Sequence, residues 1–501
     1  MNSFRDEIRG VPFLKITIPF VVGIVISQEF RLLWSVLFLS VVALVCLIFL
    51  FKREYIKNCT TFLLLVALGF CAAQAAAPTR QLPRGEKVEA LIEVSDGVKF
   101  TSRRTRKSTS AYVRAYRTKG DSSWRKSNER VVIYVDTAAQ LNVGQLFAAE
   151  VYANDLVRDS VTSYSQLMYA RGVTSALFVR SQNVRDWNVG YVNSLEYGAR
   201  IFRNRISERL MARLENRDDG AVLAALLTGD RSHLTPQLKR RYQLAGASHI
   251  LALSGMHLSM IFIVFNLLLK PLVLLGRGMN LLKSLVILMI IWGYAYVSGL
   301  SLSVCRAAIM ITIAQLTLMS TTRANSYNSI FIAAFITLAI WPLALFDISF
   351  QLSYAAMIFI VFFAPRFIRW VMVPRYLCWL RNVVAVTLAA QIGVAPLVAA
   401  TFGAISLSSL IINPIVALTT PLIMLFGGAV GVPFSDSICQ WIFTIHNGAI
   451  SLGDSLKWGS IENISLSWVG AMCYYILLII IMLIIKFRGR CSCLSSQKSE
   501  K

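Results

Sequence analysis

What most limits the fold of this chain is a series of apolar runs, each about long enough to cross a bilayer as helix, set in two blocks. A helical crossing takes about 20 residues. The first block holds runs at 14–30, 32–51 and 60–77; after a long polar gap the second holds runs at 249–275, 281–299, 303–320, 329–346, 349–364, 383–400, 407–430 and 468–485. Lipid offers the backbone no partners, so each run is expected to close its own hydrogen bonds as a helix. Composition agrees: 56% of the 501 residues are hydrophobic and 15% charged, where soluble domains carry about a quarter charged. The third run ends in an A-x-A pattern resembling a signal-peptidase site. Pro78 follows it and two long runs precede it, so it reads as a retained anchor. Nine cysteines without paired spacing argue against a disulfide framework.

The polar gap has a different pattern. Stretches at 88–94, 111–117, 131–135, 146–151 and 173–179 are rich in Val, Tyr and Phe and separated by Gly, Ser, Asp and Asn, as strands and turns are. Five short strands suit a small β-barrel of the OB type; a two-layer sandwich is the competing arrangement. The expected fold is therefore a polytopic α-helical membrane protein with an inserted small OB-like β-barrel. Its parts are an N-terminal transmembrane block at 1–79, an OB-like β domain at 80–190 and connecting helices at 191–247. A second transmembrane block at 248–485 and a basic tail at 486–501 complete it. In the connecting helices Arg200, Arg203, Arg205, Arg209 and Arg213 alternate with apolar residues, a pattern that suits a membrane surface or a solvated linker.

The chain is also strongly basic, with a formal net charge of +24. Cytoplasmic loops collect Lys and Arg, which puts the N-terminus and Lys52, Arg53 and Lys57 inside and residues 80–190 outside the membrane. Lys270, Arg277 and Lys283, then Arg323, then Arg366, Arg369, Arg375 and Arg381 also fall inside. Bringing the tail inside needs a further crossing or a broken helix between Leu407 and Leu456, where Pro414, Pro421 and Pro433 lie. Topology does not account for residues 80–130, which hold 14 basic and six acidic side chains. Arg103, Arg104, Arg106, Lys107, Arg114, Arg117, Arg125 and Lys126 crowd around Tyr112, Tyr116 and Trp124. Cations for phosphate and ring faces for bases are what a single-strand nucleic-acid binder uses; a solvated hairpin, or one touching anionic lipid, would carry the same residues.

Polar groups inside apolar spans are costly, and each is a functional candidate. Asp230, Arg231, His249, Ser254, Gly255 and His257 are the densest set; Arg306, Gln351, Ser353 and Gln391 follow. On one helix Ser254 and His257 would be neighbours, with His249 near the same face. Read as chemistry, Ser254 and His257 make a nucleophile and base with Asp230 as orienter, an intramembrane hydrolase. The eight-residue separation of His249 and His257 is no familiar metal spacing, so no metal or cofactor is expected. Read as lining, the same residues line a conduit, or pack helices with Gly255 allowing close approach.

The string ALLTGDRSHLTPQLKRRYQLAGASHILALSGMHLSMI resembles the competence domain of the ComEC family, channels for DNA uptake in natural transformation. GLSLSVCRAAIM, PLALFDISFQLSYAAM and AAQIGVAPLVAATFGAISLSSLIINPIVAL continue the likeness, and TSYSQLMYARGVTSALFV resembles the end of the family's OB-like domain. The resemblance implies a competence-type channel in the bacterial inner membrane, fed with single-stranded DNA by the outer domain. Carried over, the matching polar positions are Asp230, Arg231, His249, Ser254, Gly255, His257, Arg306, Gln351 and Ser353. It implies a separate DNA receptor, a nuclease and a cytoplasmic motor as partners, beside membrane lipid. Many members add a metallo-β-lactamase-like nuclease domain. No His-x-His-x-Asp-His run occurs among the four histidines here, so nuclease chemistry is expected from another protein, and this chain is expected not to be an enzyme. Another anionic polymer or a lipid is the alternative cargo.

Overall fold

The computed structural model describes residues 11–29, 40–41, 54–83, 85–97, 99–100, 107–119, 121, 123–136, 141–155, 168–192, 194–251, 253–319, 325–403, 405–429, 432–455, 460–461, 464, 466–467 and 469–482. Apart from residues 40–41, the expected second span lies outside these, as do Arg103, Arg104, Arg106 and the basic tail.

In the first block α1 (Pro12–Glu29) packs against α2 (Glu54–Ala76). Their contact depends on two glycines. A β-carbon at Gly23 would lie 2.0 Å from the Val66 carbonyl oxygen, and one at Gly69 2.1 Å from that of Phe20. Small residues let the backbones approach in a setting where dispersion, not water, drives packing.

The polar gap folds as β1 (Lys87–Val94), β2 (Lys107–Thr118), β3 (Arg125–Val135), β4 (Gln145–Asp155), β5 (Val173–Val179) and β6 (Val184–Tyr191). Strand β1 pairs antiparallel with β2, β2 with β3, and β3 runs parallel to β5. The end of β4 pairs with β5 and its first half with β1, so the pairings return to the starting strand. Strand β6, which the sequence did not suggest, lies on the other edge of β4. Alternation puts Val88, Ala90, Ala111, Val113, Val131, Ile133, Phe147 and Ala149 inside. A register shift leaves Arg114 as the extra residue of β2, so the inward positions there jump from Val113 to Tyr116, while β1 keeps its alternation through Ile92 and Val94 and buries Glu93 on its other face.

The helical body begins with α3 (Leu195–Met211), α4 (Arg217–Thr228), α5 (Pro236–Leu244), α6 (Gly255–Leu268) and α7 (Arg277–Val297). It continues with α8 (Leu302–Met319), α9 (Ser326–Ile340), α10 (Ile348–Trp370), α11 (Cys378–Phe402), α12 (Ser409–Gly428) and α13 (Ser435–Ser455), then α14 (Val469–Met482). By length and composition α1, α2, α7, α10, α11 and α12 can each cross a membrane; α6, α8, α9 and α14 are apolar but shorter. The innermost layer is α4, whose residues Ala221–Leu226 are all buried against Tyr242, Ile412, Val416, Ile423 and Phe443. Gly229 ends α4 at φ +75°, where a β-carbon would also meet Leu253 Cδ1 at 2.3 Å.

Two expectations about spans change. The run at 249–275 is not one helix: a turn occupies its start, helix begins only at Gly255, and Pro271 lies in a closing 3-10 segment. Among the described residues between Leu407 and Leu456 no broken helix is seen. Helix α12 runs through Pro414 and Pro421, and α13 packs along it as a further helix.

Candidate functional site

Arg306, 2% exposed on α8, is the most deeply set Lys or Arg among the described residues. Its Nη2 donates to the Ser349 hydroxyl at 2.6 Å and carbonyl at 3.1 Å, and to Ser303 and Ser353 Oγ at 3.3 Å. Ser349 and Ser353 stand on the first turns of α10, where Asp347 caps the helix by accepting from the Ser349 N–H at 2.8 Å. Asp347 is within electrostatic reach of Arg306 but makes no hydrogen bond to it among the described residues; its Oδ2 is 3.6 Å from Arg171 Nε. Arg306 Nε has no partner. A guanidinium held by hydroxyls keeps most of its charge uncompensated.

The Ser254–His257 pair is assembled differently from the expectation. Ser254 caps α6 rather than lying within it, and His249 sits in the preceding turn, off the helix. The Ser254 N–H donates to His257 Nδ1 at 3.2 Å, and Ser254 Oγ is 3.0 Å from the same nitrogen. In the neutral ring the proton is therefore on Nε2, which is buried without a partner. Asp230 does not orient this histidine. Its carboxylate accepts from the Ser232 N–H at 3.0 Å and lies 3.6 Å from His233 Nε2. Burial works to raise the Asp230 carboxyl, but the Ser232 bonds, Arg203 and His233 outweigh it and hold it below the usual range. The dyad contact exists; the triad does not. Gly255 faces α8, but a β-carbon there would stand 3.5 Å from Ala307 Cβ, an ordinary contact, so the expected close approach does not depend on the missing side chain. Arg231 and His249 are exposed, and both are in electrostatic reach of His257.

The two glutamines join helices. Gln351 donates to the Leu345 carbonyl at 3.0 Å, tying α10 to the turn before it, and Gln391 on α11 donates to Ser409 on α12. Sequence reasoning missed His446. It is fully buried, with Nδ1 2.8 Å from Thr419 Oγ1 and Nε2 3.1 Å from the Tyr242 hydroxyl. Its place in an amphipathic helix gave no sign of those partners.

On the β domain many candidate cations are already paired. Arg114 grips buried Glu93 at 2.5 and 3.0 Å, Arg117 meets Glu89 at 2.6 Å, and Arg125 meets Asp121 at 3.0 Å. The Glu93 bond holds the Arg114 guanidinium above its ordinary range. Tyr197 of α3 also donates to Glu93, and burial followed by that carboxylate pushes its phenol up. Tyr112 remains partly exposed, with Arg114 5.1 Å and Arg130 5.8 Å from its ring centre; Arg117 stacks on exposed Trp124 at 5.0 Å. Lys107 begins β2 and exposed Lys126 lies on β3. Tyr116 is a correction: its ring belongs to the β-domain core and is not available to stack on a base. Tyr134 and Phe178, not foreseen, stack at 5.2 Å across the parallel β3–β5 pair, with Phe178 exposed. Only the pairing of strands 40 residues apart brings them together.

The family profile described as "Competence protein" matches residues 226–488, from the last turn of α4 to just beyond α14. The chain is similar to ComE operon protein 3 of Bacillus subtilis (strain 168), 26% identical over 217 residues. That alignment covers 43% of this chain and 26% of the relative, so the chain spans about a quarter of that protein's length. No solved structure matches.

Proposed function

The chain belongs to the competence-protein family, and from that premise we propose that it is an inner-membrane conduit for single-stranded DNA in natural transformation. The observation that carries this is Arg306, buried in an apolar helix and held by three serines rather than a carboxylate. A polyanion crossing lipid needs cations whose charge is not already spent on acids. Asp230, Arg231, His249, Ser254, Gly255, His257, Gln351, Ser353 and Gln391 serve around it as lining or as the contacts that hold the helices.

Residues 80–190 are the receiver on the outer side. The return of the strand pairings to β1 supports the OB-like reading, and the Tyr112 face with Arg114 and Arg130 supports contact with bases and phosphates. The N-terminus and the loops before α7, α9 and α11 are cytoplasmic, and a further crossing between Leu407 and Leu456 brings the tail inside. A separate receptor, nuclease and motor complete the pathway.

Transformation frequency tests this in a deletion strain complemented with wild type or Arg306→Ala. Loss in the deletion, rescue by wild type and failure of Arg306→Ala are expected. Normal transformation in the deletion overturns the assignment.

A further inference from the structure

We propose that the outward face of α3 is a binding site for an anionic phospholipid, with the lipid phosphate in the cleft between Arg205 and the Tyr296 hydroxyl and its chains against Ile201 and Phe202. The inference goes beyond the conduit reading and does not depend on the cargo.

The β domain fixes which face of α3 is outward. Tyr197 donates to Glu93, Arg200 to the Ser95 carbonyl, and Arg203 to Asp96 at 3.4 Å. At about 100° per residue, Gly198, Ile201, Phe202, Arg205 and Arg209 fall on the opposite side of the helix. The helix also crosses the end of α7. A β-carbon at Gly198 would lie 3.2 Å from the Tyr296 hydroxyl, and one at Gly299, in the turn after α7, 3.2 Å from Arg203 Nη1. Gly198, Ile201, Phe202, Arg205 and Tyr296 line a cleft of about 270 Å³ that opens to the surface. A single water needs only about 10–15 Å³, so a phosphate group has room there.

Position and charge name the occupant. Residues Gly278–Val297 of α7 rise about 30 Å, the thickness of the hydrocarbon core, which puts Tyr296 where hydrocarbon gives way to headgroups. Tyrosine suits that level, with an apolar ring and a polar tip. Beside it α3 leaves Leu195, Ile201 and Phe202 75%, 44% and 43% exposed. Acyl chains solvate such a face better than water does. Arg200, Arg203 and Arg213 are paired with Glu196, Asp96 and Asp436. Arg205, Arg209 and the Tyr296 hydroxyl have no hydrogen-bond or ion-pair partner among the described residues. Exposed Glu208 offsets one of the two free charges and leaves the face positive. A solvated linker helix would account for the arginines but not for exposed Ile201 and Phe202 beside a crossing helix.

The test places the full chain in nanodiscs of phosphatidylcholine with a trace of phosphatidylglycerol carrying a diazirine in its acyl chain, and maps the crosslinks by mass spectrometry. Helix α12, where Leu418 and Leu425 are half exposed, supplies the internal standard. Relative to it, α3 should be labelled, and unlabelled phosphatidylglycerol should compete where phosphatidylcholine and inorganic phosphate do not. A basic residue at an anionic surface is worth roughly fivefold in binding, so Arg205→Gln should lose about fivefold of the α3 labelling. Tyr296→Phe should lose less. Absence of α3 labelling, equal competition by phosphatidylcholine, or undiminished labelling in Arg205→Gln overturns the proposal. Competition at α3 by oligo-dT and not by lipid would put a nucleic acid in the cleft, and overturns it too. Loss of the α12 standard would mark a misfolded variant, and the wild-type competition then decides alone.

Discussion

The paired arginines of the β domain and the buried Arg306 of the helical body are held in opposite ways. On the β domain Arg114, Arg117, Arg125 and Arg185 each reach a carboxylate, and Glu93, although fully buried, is met by Arg114 and by Tyr197. In the helical body Arg306 reaches serines. The first arrangement spends charge on holding structure, whereas the second preserves it for something that arrives. A large basic excess in a sequence is thus a poor guide to ligand binding, because several of the described β-domain cations already meet carboxylates. One buried arginine without an acid is a better guide.

The comparison is broken most severely at Arg306. Arg306→Met fills the same space without the charge, and replacing a buried ion by an apolar group is often neutral or stabilising. Expression and melting temperature should hold, while transformation falls roughly 10- to 100-fold, the loss of charge-assisted hydrogen bonds to a phosphate. A destabilised protein with normal transport would make Arg306 a structural residue like Arg114.

The β-domain side is sharpened by Tyr197→Phe, which removes one bond to the Glu93 carboxylate and should cost about 1.5–3 kcal/mol of stability. Denaturant titration reads the change; an unaltered midpoint would mean that α3 is not held to the β domain by this contact. Smaller is Ser254→Ala, which removes the cap of α6 and should cost about 1 kcal/mol. If the hydrolase reading held instead, this variant would lose labelling by a serine-directed probe.

The smallest effect is the surface cluster Lys87–Glu150–Arg185. Lys87 and Arg185 hold the Glu150 carboxyl below its ordinary 4.5, and Glu150 holds Lys87 above its ordinary 10.5. Glu150 thus adds stability above pH 4.5 that fades as pH falls through its lowered value. Lys87 adds stability that is complete below pH 10.5 and fades as pH rises through its raised one. Thermal melts of Glu150→Gln and wild type should differ slightly at neutral pH and converge in acid.

What the sequence disclosed follows the range of the forces involved. Apolar runs and strand alternation are local, so most helices and five of the six strands could be placed. Strand β6 was missed because VRDWNVGY is mostly exposed and the two residues that pack on the core, Val184 and Trp187, are three apart and not two. The start of α6 was misplaced because a turn made of His249, Ile250 and Leu251 inside an apolar run leaves hydropathy unchanged. Arg306 stood out as a charge among apolar residues, and Ser303 was one turn away; Ser349, 43 positions on, was not visible as its partner. Arg171 looked like any loop arginine. Its pairing with Asp347 depends on the fold having brought a distant turn against a helix cap.

The innermost helix carries a further consequence, for biosynthesis. Helix α4 emerges from the ribosome well before the segments that enclose it. Arg213, just ahead of it, caps the end of α12 by donating to the Gly427 carbonyl, 214 positions later, and Asp219 at its start accepts from Asn447, 228 positions later. Through most of translation its apolar surface waits for partners that do not yet exist, the long-range closure that slows folding and exposes chains to misassembly. The family match begins at residue 226, inside this helix. Cutting the gene there would remove the centre around which the last helices assemble.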